Sequence, residues 1–190
     1  MASTPPTAVP QPALSPPQLK ASLWTDGRQG VYAVAMGSRI PDLPALLAGA
    51  DVDDFDCLLP GALIPQAQQS AAYLVRLRQT SAFTDWLLFE LAAALGEWGV
   101  LLLSPARMLS LRGHLRGLSH AQIPGGQTMT LDWMDPTLLQ ALLPLFDGAG
   151  LASFMGPVQS VVIPQATAWI QASVALGRLD LRRTPVLKAA

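Results

Sequence analysis

Cysteine is nearly missing from this 190-residue chain: Cys57 is the only one. A disulfide framework within the chain and any cysteine-rich metal knuckle are excluded with it. Charge is scarce too, at 13% of residues against a usual share of roughly 25%. The 12 Lys+Arg and 13 Asp+Glu give a formal net charge of −1, so no broad cationic field awaits nucleic acid or an anionic membrane. The two histidines, His114 and His120, are six residues apart and on one helix would point to different faces, which is no shared metal site. No phosphate-cradling GxxxxGK and no GxSxG nucleophile elbow occurs. Gly148-Ala149-Gly150 follows a helical stretch and lacks the third glycine of a dinucleotide loop. Long uninterrupted apolar runs are missing as well. Prolines and amides break both Cys57–Val75 and Gly148–Gly177, so neither reads as a spanning helix. Residues 1–20 carry six prolines and no positive segment leading into an apolar one, hence no export signal. A cytoplasmic, reducing location is expected.

What the chain has in quantity is apolar surface. Hydrophobic residues make up 51%, and the mean hydropathy is +0.34. Such a chain buries a large core, offers apolar surface to a partner, or both. Residues 1–22 read as a Pro-rich disordered tail, 23–164 as one domain, and 165–190 as a short C-terminal helical extension or tail. Within the domain, β-type runs alternate with helical ones. Val31–Met36, Phe55–Leu59, Tyr73–Leu77, Trp98–Leu103, Thr128–Met134 and Ser160–Ile163 read as strands. Phe83–Leu95 spaces Phe83, Trp86, Leu87, Leu91, Ala94 and Leu95 as an amphipathic helix. Ser104-Pro105 and Asp135-Pro136 each look like a cap followed by a first-turn proline. The expected fold is mixed α/β: one domain, with a central mixed sheet of about five to six short strands covered by helices.

Chemistry-bearing residues are few. Cys57 sits beside Leu58 and Leu59, where an inert thiol is expected. Asp51, Asp53, Asp54 and Asp56 are the densest acidic cluster, but an EF-hand begun at Asp51 would need glycine and glutamate where Asp56 and Ala62 stand. No catalytic set, cofactor or metal site emerges. Arg112 and Arg116, four apart, make either a solvated helix face or a cationic docking strip. Trp86 and Trp98 read as core by periodicity. Trp24, Trp133 and Trp169 remain as contact candidates, with Asp135 beside Trp133.

The order of features from Tyr73 to Val158 resembles a known family. They are Tyr73-Leu74-Val75-Arg76-Leu77, Phe83-Thr84-Asp85-Trp86-Leu87-Leu88, Trp98-Gly99-Val100, Ser104-Pro105-Ala106, Leu111-Arg112-Gly113-His114-Leu115-Arg116, Asp135-Pro136 and Phe154-Met155-Gly156-Pro157-Val158. They are similar to the effector adaptor (effector chaperone) proteins of the bacterial type VI secretion system. Asp132 and Thr137 stand where that family's arginines are expected around the Asp-Pro turn. The resemblance implies a cytoplasmic, non-catalytic protein that binds a cognate effector and promotes its loading onto the VgrG spike. Its partners would be the effector and VgrG, with no nucleic acid and no stable membrane insertion. Partner contacts would fall among Trp24, Arg112, Arg116, Trp133, Asp135 and Trp169. The alternative is a small α/β enzyme or ligand-binding domain of unknown substrate, resting on the acidic cluster and Cys57.

Overall fold

The computed structural model describes residues 12–122 and 128–187. Its framework is an antiparallel sheet of seven strands in the order β2-β3-β1-β4-β7-β8-β9. In chain order the elements are α1 (Pro16–Leu23), β1 (Gly30–Met36), α2 (Leu43–Gly49), β2 (Asp54–Cys57), α3 (Pro65–Ser70) and β3 (Ala72–Arg76). A helix follows in three parts: α4 (Ala82–Asp85), a π-helical turn (Trp86–Leu91) and α5 (Ala92–Leu95). Next come β4 (Gly99–Ser104), α6 (Met108–Leu118) and a separate two-stranded pair, β5 (His120–Gln122) with β6 (Thr128–Thr130). The chain continues through α7 (Pro136–Leu142), a 3-10 turn (Leu143–Leu145), α8 (Gly148–Met155), β7 (Ser160–Pro164), β8 (Ala168–Ala175) and β9 (Arg178–Pro185).

Strand alternation divides the core in two. On one face Val31, Ala33 and Ala35 of β1 pack with Tyr73, Val75, Leu101 and Leu103 under α1, α2 and the π-helical turn. On the other, Tyr32 and Val34 pack with Leu74, Val100 and Leu102 under α6, α7 and α8. Because both faces are covered, β4 is buried at every position, as its unbroken apolar run requires. It is the middle strand of the seven. The mixed sheet expected from sequence is instead wholly antiparallel among the described residues. The cause is topological: β1 and β2, joined through a helix, run the same way, but β3 slots between them.

The expected domain ends need correction. Residues 165–190 were expected as a helical extension or tail, yet 168–185 form the β8–β9 hairpin, eight residues to a strand. Its turn is Leu176-Gly177, with φ of 52° and 73°, the two positive angles of a type I′ hairpin. The proline-rich tail also ends early. Pro16 and Pro17 open α1, and Leu19 and Leu23 enter the core at 2% and 3% exposure. Leu14 even bridges Val186, while residues 1–11 lie outside those described. Ser104-Pro105 is not a helix cap. Ser104 ends β4, its Oγ donating to the Pro157 carbonyl at 2.7 Å and accepting from the Ala106 N–H at 3.1 Å. The helix starts later, with Arg107 at its N-cap. Asp135 does cap, accepting from the Leu138 N–H at 2.9 Å.

The π-helical turn explains a shift in the Phe83–Leu95 stripe. Leu87, Leu88, Leu91 and Ala92 are buried, whereas Ala94 and Leu95 face solvent. A π-helical turn takes more residues per revolution, so positions beyond Leu91 rotate off the face that a 3.6-residue period assigns them.

Candidate functional site

Leu111 and Leu115 anchor α6 in the core at 0% and 1% exposure, and this anchoring aims the next residue of each turn toward β2. Arg112 pairs with the Asp56 carboxylate. Arg116 donates to three successive carbonyls, from Nη2 to Cys57 at 2.8 Å and Leu59 at 3.2 Å, and from Nε to Leu58 at 3.1 Å. Three of the four aspartates of the acidic cluster, Asp51, Asp53 and Asp56, are paired with arginines in the same way. Arg78 bonds Asp53 at 2.5 Å and Asp51 at 2.7 Å, and Arg76 lies 3.6 Å from Asp53. The paired carboxylates hold the Arg78 guanidinium above its ordinary value. Both arginines of the expected docking strip are thus already engaged inside the chain.

Beyond this clamp a cavity of about 140 Å³ opens between Met36, Leu58, Ala72, Asp132 and Met134. Partial burial, and then the nearby Asp135 charge, push the Asp132 carboxyl above the usual carboxylate range, while Arg39 pulls it back. Arg39 Nη2 lies 3.2 Å from Asp135 Oδ2. Thr137, also at a position where an arginine was expected, donates to Glu97 at 2.5 Å. The acidic corner can accept a proton or a cationic group. Among the described residues no three His, Cys, Asp or Glu side chains gather as metal ligands. Burial also pushes the Cys57 thiol up, away from the thiolate form that a nucleophile uses.

A larger groove, about 400 Å³, lies on the opposite face of the sheet, where residues from both ends of the described chain meet the π-helical turn. Pro16, Leu88, Phe89, Trp169, Val186 and Leu187 line it. Phe89 and Trp169 stack 6.5 Å apart at 14°, and Leu187 is 47% exposed. The lining is largely apolar.

The structure buries two of the tryptophans named as contacts. Trp133 is 1% exposed and sits edge-on to Phe154 at 6.1 Å, and Trp169 is 4% exposed. Both are core because the Asp132–Asp135 loop and the β8–β9 hairpin fold them in. Trp24, at the end of α1, packs half-buried on the first core. Trp98 is fully buried, as periodicity indicated, but Trp86 only partly. The six residues named from sequence do not converge on one surface. Of the six only Trp169 lines either cavity, and three residues not named as contacts, Phe89, Asp132 and Leu187, line the two cavities as well. Only Asp132 carried a sequence signal, as the residue standing in an arginine's place.

No curated protein and no solved structure matches the chain. Among the described residues no helix is long and apolar enough to cross a membrane. One family does match: the domain of unknown function DUF4123, over residues 31–153. That span takes in four of the seven sheet strands, β1 to β4, and runs into α8, so the part it leaves out is the β7, β8 and β9 side of the sheet. Covering more than half of the sequence, the match makes this chain a member of the DUF4123 family.

Proposed function

We propose that the chain is a non-catalytic adaptor that binds a cognate effector of the type VI secretion system in the cytoplasm and promotes its loading onto the VgrG spike. The observation that carries this reading is the DUF4123 match over residues 31–153. It overlaps the ordered features from Tyr73 to Val158 on which the adaptor resemblance rests. The groove beside Phe89 and Trp169 favours it too, since its volume of about 400 Å³ is that of a site able to shield an apolar segment. The raised thiol of Cys57 and the arginine pairing of Asp51, Asp53 and Asp56 leave the enzyme alternative without a specific observation in its favour.

Co-expression with the effector and VgrG proteins encoded beside the chain tests the proposal. Effector and spike should co-purify with it, and deleting its gene should abolish delivery of that effector while leaving other secretion intact. A chain that captures neither protein and whose loss leaves delivery unchanged is not an adaptor.

A further inference from the structure

The last strand of the sheet is open on one side. β9 pairs with β8 from Arg178 to Pro185, and among the described residues no strand lies along its outer side. Hairpin geometry fixes which groups are exposed there. Ala175 and Arg178 flank the two-residue turn, and the closing pair of such a turn exchanges backbone hydrogen bonds. Arg178, Asp180 and Arg182 therefore direct N–H and C=O toward β8, and Leu179, Leu181 and Arg183 direct theirs outward. Bonds at the strand's end follow the same alternation. The Val186 N–H turns in to the Thr167 carbonyl at 2.9 Å, and the Pro185 carbonyl turns out to the Leu14 N–H at 2.9 Å.

Side chains along the edge are sorted by face. Register places Leu181 and Arg183 with Ala172 and Ile170, where Leu143 and Gln140 complete a cavity of about 250 Å³. Leu181 is 48% exposed above it. The other face carries Arg178, Asp180 and Arg182; Arg182 pairs with Asp180 at 2.9 Å. Three arginines against one aspartate leave this edge cationic in a chain whose net charge is −1.

We propose that β9 accepts an extended segment of a partner protein as an eighth strand, with side chains alternating between apolar and acidic. Main-chain bonds to Leu179, Leu181 and Arg183 would supply affinity, and the two faces would supply selection: apolar residues over the Leu181 cavity, acidic residues against Arg178 and Arg182. The chain's own N-terminal segment is a poor occupant. Leu14 pairs in parallel with Val186, and the next residue of that register, Pro12, has no N–H to donate. A second copy would bring like-charged edges together. Naming the partner as a secreted effector or spike rests on the adaptor reading above, whereas the edge itself does not.

The test is fluorescence anisotropy of a labelled alternating Glu-Val peptide long enough to span β9, with a Lys-Val peptide as control. The full chain should bind the Glu-Val peptide saturably and the Lys-Val peptide not at all. Leu181→Pro, which removes an outward N–H and leaves the β8 ladder intact, should weaken binding about tenfold or more. The Arg178→Glu/Arg182→Glu double variant should do the same, and it carries the test if Leu181→Pro fails to fold by circular dichroism. Absent binding, equal binding of the two peptides, or full binding by the folded variants overturns the proposal. So does concentration-dependent self-association that Leu181→Pro abolishes without any peptide binding. Effector capture retained by a chain that ignores the Glu-Val peptide refutes the edge and spares the adaptor reading. Peptide binding by a chain that captures neither effector nor spike does the reverse.

Discussion

The imidazole of His114 lies against Gly156: a Cβ added to that glycine would sit 2.4 Å from Cε1 and 2.7 Å from Nε2. The ring is held there by a 2.9 Å hydrogen bond between Nε2 and the Phe154 carbonyl, so α6 is tied to the end of α8. Gly156 has φ 50° and ψ −117°, a conformation that side-chain-bearing residues rarely adopt. Gly156→Ala should therefore cost about 2 kcal/mol in denaturant unfolding. Adding His114→Ala should recover only part of the loss, because it relieves the contact and not the backbone strain. Full recovery would show that the contact alone mattered.

Arg116 should matter more than its neighbours on α6. Arg116→Met keeps the aliphatic stem but removes every donor to the carbonyls of Cys57, Leu58 and Leu59. The expected cost is about 1–3 kcal/mol, with faster hydrogen exchange in the residues after β2. Arg107→Ala, on an exposed residue with no such contacts, should stay within about 0.5 kcal/mol.

Asp132 should make the protein less stable as pH rises. Its carboxyl titrates higher in the folded chain than the ordinary 3.8, so the native state binds more protons than the unfolded state over that interval. The contribution is fully present below the ordinary value and is lost as pH climbs through the folded one. Asp132→Asn should remove this fall and leave the variant at least as stable at neutral pH. Urea melts at stepped pH values check both statements.

The tryptophans offer a paired test. Trp169→Ala empties a site 4% exposed, stacked on Phe89, and should cost about 3–5 kcal/mol. Trp133→Phe should cost under about 1.5 kcal/mol. The Trp133 Nε1 is buried with no hydrogen-bond partner, and removing such a donor offsets part of the lost packing. Thermal denaturation of both variants measures the difference.

The framework was legible in sequence wherever burial and periodicity agreed. Val31–Met36, Tyr73–Leu77 and Trp98–Leu103 announce strands because both faces of the sheet are covered, and Asp135-Pro136 announces a helix because its cap is local. The β8–β9 hairpin was missed for the opposite reason. Leu176-Gly177 is no Asn-Gly turn, and the arginines of β9 mask the Leu179–Leu181 alternation that only an exposed edge permits. The candidate sites were harder still. Phe89 and Leu187 meet across nearly a hundred residues of sequence, and no local pattern encodes such a meeting. Asp51, Asp53 and Asp56 looked available because their partners, Arg78 and Arg112, arrive from distant elements.

Leu14 and Val186 meet at one corner of the sheet, and Pro16 and Leu187 share a wall of the adjoining groove. During synthesis that wall stays half-built until residues 185–187 have emerged from the ribosome. Until then the groove lacks the wall that Val186 and Leu187 supply, so Pro16, Phe89 and Trp169 cannot enclose it.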